Sequence, residues 1–172
     1  WGIVRGIGYG AVRTAAGLFD ISHMGQIIVE GRSAAADIDR WMTNSINKLE
    51  DGKALYSAVC NETGGIIDDI IVYQRNPAYF LIVVNAGNIS KDFEWFKAHC
   101  TAGTVIKNVS NETAMFALQG PKAREVGSKA LGIPTGKIGR FEFCSVSIDR
   151  DAVWVLRTGY TGEDGYEFLS PM

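Results

Sequence analysis

The 172-residue chain lacks any apolar run approaching the ~20 residues a helix needs to cross a bilayer, so no membrane span is expected. It also lacks a strong charge of either sign. The formal net charge is −2, which implies no broad basic face and makes nucleic acid and anionic membrane poor partners. No basic segment followed by an apolar one opens the chain, so no secretory signal is read. On that basis the N-x-[ST] triplets starting at Asn61, Asn88, Asn108 and Asn111 are read as coincidence. Cysteine is scarce. Cys60, Cys100 and Cys144 are odd in number, far apart and without C-x-x-C spacing, which argues against a disulfide framework and a zinc site. Buried free thiols of a reducing compartment are the expected state, and no metal is expected. Neither G-x-x-x-x-G-K-[ST] nor a G-x-G-x-x-G after a strand is present, so no phosphate cradle of those kinds is expected. Internal repeats and low-complexity linkers are missing too. What is there is globular: 47% hydrophobic against 21% charged residues separates the chain from disordered sequences. The chain begins at Trp1 rather than Met and stops at Met172, just after a strand starts with no obvious partner, so a longer protein is expected around it.

The pattern along the chain is mixed. Ile7, Ala11, Val12 and Ala15 stand at helical spacing over residues 7–16, ahead of Gly17. Short strands are expected at 18–20 and 26–30, and a helix over 33–43 with Ser33 as its N-cap. Strands at 54–60, 66–74 and 79–85, a helix from a Ser90 cap to His99, and a strand at 104–109 form a β-β-β-α-β unit of about 60 residues. Ile89, Phe93 and Phe96 fall near one side of that helix. A strand at 114–118 breaks at Gln119-Gly120-Pro121 into a helix over 122–131, where Pro suits the first turn. Residues 132–139 read as a loop, and strands at 141–149 and 152–158 as a hairpin around Arg150-Asp151. The expected class is α+β, with antiparallel sheets backed by helices.

Asp68 and Asp69 are adjacent carboxylates inside an oily strand, Ile66-Ile67-Asp68-Asp69-Ile70-Ile71-Val72-Tyr73. Strand side chains alternate, so the two point to opposite faces, and both faces are otherwise apolar. At least one carboxylate must therefore find a partner, lose its charge or serve a ligand. A structural Asp at a hairpin mouth, bonded to nearby backbone N–H groups, is the plainer alternative. Gly159–Glu167 holds Tyr160 and Glu167 as an aromatic and a carboxylate beside three glycines within seven residues; its plainer reading is a glycine-rich turn with solvated acids. His23, with Ser22 and Asp20, is too local for a catalytic triad and reads as a structural histidine. His99 suits a helix C-terminus. Asn85 and Asn88 flank Gly87 as caps or as a polar pair facing a ligand, and Met24 and Tyr56 read as core residues.

Five segments carry a resemblance. They are Asp20-Ile21-Ser22-His23-Met24-Gly25, Asn61-Glu62-Thr63-Gly64-Gly65-Ile66-Ile67-Asp68-Asp69, Val84-Asn85-Ala86-Gly87-Asn88-Ile89-Ser90-Lys91-Asp92, Ala117-Leu118-Gln119-Gly120-Pro121 and Gly159-Tyr160-Thr161-Gly162-Glu163-Asp164-Gly165-Tyr166-Glu167. In this order, across nearly the whole chain, they resemble the aminomethyltransferases (T-proteins) of the glycine cleavage system. The resemblance implies transfer of a one-carbon unit from the aminomethyl-dihydrolipoyl arm of the H-protein to tetrahydrofolate, with release of ammonia. It implies a folate-binding aminomethyltransferase-like fold of three domains around a central folate channel, of which this chain is an N-terminal part. Residues 1–46 with 112–172 form the first domain and 47–111 the second, and a C-terminal β domain is absent. Asp69 is the implied catalytic carboxylate, with Asp68 as the fallback. Met24, Tyr56, Asp69, Asn85, Tyr160 and Glu167 are the implied folate contacts. A monomer is implied, in the bacterial cytoplasm or the mitochondrial matrix.

The chemistry of those residue types agrees with the implied roles. A pterin offers an amide-like edge and a flat ring; a carboxylate such as Glu167 can accept from the edge while aromatic and thioether groups pack on the ring. Asp69 could orient the attacking nitrogen and stabilise developing positive charge. The same resemblance admits a folate-dependent demethylase or the folate module of a sarcosine or dimethylglycine oxidase. A non-catalytic folate-binding protein related to iron–sulfur maintenance is disfavoured, because Thr158-Gly159-Tyr160-Thr161-Gly162-Glu163 lacks the Cys of that group. An inactive fragment is the remaining alternative.

Overall fold

The computed structural model describes residues 2–148 and 150–172, with the backbone alone at 2–7 and 131. The elements run α1 (Gly2–Thr14), β1 (Gly17–Asp20), β2 (Gly25–Glu30), α2 (Ala34–Trp41), β3 (Lys53–Cys60), β4 (Ile66–Asn76), β5 (Tyr79–Val84), α3 (Ile89–His99), β6 (Val105–Asn108), β7 (Thr113–Gln119), α4 (Ala123–Leu131), β8 (Phe143–Ile148), β9 (Asp151–Leu156) and β10 (Gly165–Pro171). They form two antiparallel five-stranded sheets, β1-β7-β10-β9-β8 and β3-β4-β5-β2-β6. The α+β class with antiparallel sheets backed by helices is therefore the observed one.

The chain divides into two compact units, one holding the residues up to Ser22 together with Thr113–Met172, the other His23–Glu112. The expected division put 1–46 with 112–172. It differs because β2 pairs with β5 on one side and the edge strand β6 on the other, inside the second sheet, and α2 packs on that same sheet. A strand bonded on both sides cannot be separated from its sheet without breaking two ladders.

In the first unit, β10 is an interior strand with partners β7 and β9, so the C-terminal strand expected to lack a partner has two. One face of this sheet, with Leu118, Val153, Val155, Tyr166 and Phe168, packs with Ala123 of α4 and with Ile133 and Ile138 of the segment that follows. The β8–β9 hairpin is shorter than expected. Arg150 takes a positive φ of 82° at its turn, and Asp149, expected to end the first strand, lies outside the described residues.

In the second unit, α2 and α3 cover one sheet face. Trp41 stacks on Phe96 with ring centroids 4.8 Å apart, and Ile27, Val29, Ile70, Val72, Phe80 and Ile82 lie in the same core. Burying such side chains contributes about 1.5–3 kcal/mol each and fixes the position of α3 against β4. Helix α2 ends at Trp41, two residues earlier than expected. Ser33 does stand at its N-cap position, but the hydroxyl donates to the Ala102 carbonyl rather than capping. Helix α3 starts at Ile89 with Asn88, not Ser90, at the cap position. The three cysteines are free thiols, but half-buried rather than buried.

Candidate functional site

Strand alternation decides the fate of the two aspartates. Asp68 shares a face with Ile70 and Val72 of the helix-covered core, and only 5% of it is exposed. Asp69 points to the opposite face, with Ile71 and Tyr73, and is half-buried. Tyr56 pairs with Ile71 in the β3–β4 register, so Asp69 is its diagonal neighbour, and the Tyr56 hydroxyl donates to Asp69 Oδ2 at 3.1 Å. The hydrogen bond to the Asp69 carboxylate, and its charge, raise the pKa of the Tyr56 hydroxyl and keep it a donor. Tyr56 is 50% exposed, which corrects its reading as a core residue.

Asn85 stands one residue past β5. The β4–β5 register sets Ile71 opposite Val83, and two further steps bring Asn85 beside Asp69. Its backbone N–H donates to Asp68 Oδ2 at 3.1 Å. Its Nδ2 donates to Asp68 Oδ1 at 2.9 Å, to Asp69 Oδ1 at 3.1 Å and to the Asp69 carbonyl at 3.2 Å. Asn88 Nδ2 adds a donor to Asp68 Oδ1 at 2.6 Å. Asn88 thus sits at the α3 cap position without a side-chain cap bond, its amide nitrogen turned to Asp68. The structural and ligand-facing readings of the aspartates divide between them: Asp68 carries the buried bonds, one from a backbone N–H, and Asp69 keeps the more open position.

Asp92, in the first turn of α3, completes the network. Both its carboxyl oxygens are buried, and among the described residues no N–H or O–H donates to them. Burial first, then the hydrogen bond and negative charge of Asp68, push its pKa up to about 7, against a smaller opposing pull from Lys91. Burial and the neighbouring Asp68 charge thus favour the uncharged form of Asp92. Burial works against the charge on Asp68, but the bonds from Asp92, Asn85 and Asn88 outweigh it and hold that carboxyl below the usual range. Sequence reading passed over Asp92. The signal was available: Ile89, Asp92 and Phe96 are three and four residues apart, which puts an acid on the buried stripe of an amphipathic helix.

Met24, half-buried, lies just before β2, where its carbonyl accepts from Gln26 Nε2 at 2.9 Å. His23 is exposed, and the Ser22 hydroxyl is committed to the backbone of Met115, so Asp20, Ser22 and His23 form no triad. His99 bonds the Trp95 carbonyl at 2.7 Å and stacks on the Trp95 ring, a structural helix end.

Tyr160 and Glu167 belong to the other unit. Glu167 lies on β10, opposite Ala117 and Leu156, and is 2% exposed. Burial raises its pKa, and the hydroxyl of Thr158, bonded to its Oε2, partly offsets this. Tyr160 is exposed. The acids of the glycine-rich segment between them stay partly solvated, but each is paired with an arginine. Arg157 bonds Asp164 through Nε at 2.9 Å and Nη2 at 2.8 Å, and Arg13 bonds Glu163 at 2.8 Å. The segment wraps the buried amide of Gln119, which donates to the Thr158 carbonyl and accepts from Thr161. A Cβ at Gly159 or Gly165 would overlap that amide, which is the steric reason for glycine at both positions.

Among the described residues no group of three or more His, Cys, Asp or Glu is placed to hold a metal ion, and no helix is long and apolar enough to cross a membrane.

Comparison with known proteins gives this geometry its relatives. Residues 8–172 match the family described as the GCVT N-terminal domain. An aminomethyltransferase of Thermotoga neapolitana is 46% identical over 160 residues, which are 92% of this chain and 44% of the relative. One from Shouchella clausii is 48% identical over 158 residues, 91% of this chain and 43% of the relative. The crystal structure of glycine cleavage system aminomethyltransferase T from Bartonella henselae superposes with a TM-score of 0.86 at 33% identity, over 96% of this chain and 44% of that one. A heterotetrameric sarcosine oxidase from Corynebacterium sp. U-96 shares the fold, with a TM-score of 0.66 at 14% identity over 98% of this chain and 84% of that one. The chain spans less than half the length of the curated relatives it matches. It belongs to the GCVT N-terminal domain family.

Proposed function

We propose that the chain is the folate-binding part of an aminomethyltransferase of the glycine cleavage system, and that Asp69 is the carboxylate acting at the reacting end of tetrahydrofolate. The observation that carries this is the half-buried Asp69, fixed on one oxygen by Tyr56 and on the other by Asn85, in a chain of this family. A carboxylate has about four lone-pair sites, so two anchoring bonds leave acceptor capacity for a ligand amine. Both anchors are neutral donors, so the charge of Asp69 stays available to attract a developing cation. Asn85 spends its Nδ2 on the two aspartates, which orients the amide and leaves its carbonyl oxygen to accept an N–H of the pterin edge. The exposed face of Tyr56 is suited to pack on a flat ring.

In this reading tetrahydrofolate supplies the amine that takes up the one-carbon unit. The chain's residues hold that amine, orient it and stabilise the positive charge that accompanies loss of ammonia. The donor is the aminomethyl group on the lipoyl arm of the H-protein. Met24, Tyr160 and Glu167 are further proposed folate contacts, each resting on the resemblance of its segment.

The test is an anaerobic calorimetric titration of the 172-residue chain with tetrahydrofolate, beside Asp69→Asn and Glu167→Gln. Binding that weakens about tenfold or more in Asp69→Asn, the loss expected for a charge-assisted bond, supports the reading. Unchanged affinity in Asp69→Asn removes Asp69 from the site, and no binding by the folded chain overturns the assignment to it.

A further inference from the structure

Resting on the proposed role of Asp69, the geometry points to a second carboxyl that works without touching ligand. We propose that Asp92 is a positioning residue, whose proton bridges it to Asp68 and so holds Asn85 and Asp69 in the arrangement that receives folate.

The argument is one of donors. Asp92 lies one helical turn beyond Asn88, whose amide bonds Asp68, and its buried oxygens receive no N–H or O–H among the described residues. Two buried carboxyls brought together in this way cannot both be charged without a compensating cation, and burial makes this more severe. Among the described residues the charged groups that act on Asp92 are Asp68 of β4 and Lys91 of its own helix, and the Lys91 ammonium is bonded to the Ile67 carbonyl. The N-terminal end of α3 favours a negative charge at Asp92, but by less than burial opposes it. The proton is thus the group that lets both carboxyls occupy the site. Asp68, receiving that proton's bond, is in turn the acceptor for the Asn85 backbone N–H, the Asn85 amide and the Asn88 amide. Asn85 donates from the same Nδ2 to Asp68 and to Asp69. Movement of Asp68 therefore moves the group that holds Asp69. Loss of the shared proton sets two anions against each other beneath the site. With Asp92 raised to about 7, that loss occurs as pH climbs through neutrality.

The linkage has a definite sign. A carboxyl whose folded pKa lies above its unfolded value of 3.8 stabilises the fold fully below that value, and the contribution is lost as pH rises towards about 7. If only the protonated pair holds Asn85 and Asp69 correctly, folate affinity falls about tenfold per pH unit above the Asp92 midpoint. An amide at position 92 donates permanently, so Asp92→Asn should keep the low-pH affinity and flatten the pH profile.

The experiment has two arms on the 172-residue chain. The first needs no ligand: carbon-detected NMR follows the Asp92 carboxyl and the Asn85 side-chain amide across the neutral range. The expected result is an Asp92 midpoint near neutrality, with the Asn85 amide shifting at the same midpoint. An Asp92 carboxyl already ionised well below neutrality, or an Asn85 amide that ignores its titration, overturns the proposal. The second arm measures tetrahydrofolate affinity against pH for wild type and Asp92→Asn. A falling profile that the amide flattens supports positioning; the same slope in both overturns it. Coupled NMR titrations with no tetrahydrofolate binding at any pH would uphold the Asp92–Asn85 linkage and sink the folate reading instead, so the two failures are distinguishable.

Discussion

In the Gly159–Gly165 segment each acid answers an arginine, whereas around Asp68 the carboxylates are held by amides, a phenol and a shared proton. Asp164 and Glu163 have their charge cancelled by Arg157 and Arg13. Asp68 and Asp69 are gripped by Asn85, Asn88 and Tyr56, none of which carries charge. An acid paired with a cation has little electrostatic reach left and serves to fix a loop. An acid held by neutral donors is positioned at similar cost but keeps its field for a ligand. On the proposed reading of Asp69, the contrast tells loop-fixing from ligand-facing carboxylates where acid density does not, since the glycine-rich segment looks the more reactive of the two in sequence.

The largest expected break in this comparison is steric. Gly165→Ala would drive a Cβ into the buried Gln119 amide, whose bonds to Thr158 and Thr161 hold the loop. Overpacking together with lost buried bonds should cost about 3 kcal/mol, read as a lower urea midpoint. An unchanged midpoint would mean that Gln119 is not the post around which the segment is wound. Next is Asp68→Ala, which strips the acceptor from Asn85 and Asn88 and the partner from Asp92. Leaving those groups unsatisfied should cost about 2 kcal/mol by the same measurement. The gap between these two values tests whether the amide-held network is as rigid as the loop.

How much of this was readable beforehand follows from the physics of each element. Ile66–Tyr73 announced a buried strand, and its alternation set Asp68 and Asp69 on opposite faces, which the structure bears out. The order of β3, β4, β5, α3 and β6 was legible because hydrophobic period is a local signal. The insertion of β2 between β5 and β6 was not, because strand pairing over such a separation leaves no trace in local pattern. The expected division differs from the two compact units for that reason. Tyr56 read as core because its type favours burial, yet alternation on β3 left its ring half open beside Asp69. The arginine pairing of Glu163 and Asp164 was hidden too: Arg13 comes from α1, 150 residues away, and Arg157 reaches back over the turn that the glycines shape.

The smallest expected effect is also the sharpest discriminator. Asp164→Asn removes the two bonds from Arg157 at the surface, with the Arg157 side chain 17% and the Asp164 side chain 41% exposed. A pair of that exposure contributes about 1 kcal/mol or less, and salt screens it over a Debye length of about 8 Å at physiological ionic strength. The stability difference between wild type and Asp164→Asn should therefore shrink as salt is added. The difference between wild type and Asp68→Ala should not, because that loss lies in buried bonds from neutral donors, which mobile ions do not reach. Urea unfolding of both variants at low and high salt reads the two cases side by side. If the Asp68 penalty falls with salt as the Asp164 penalty does, the carboxylates of the two units are held by the same kind of force. Amide tethering would then be no guide to which acid serves a ligand.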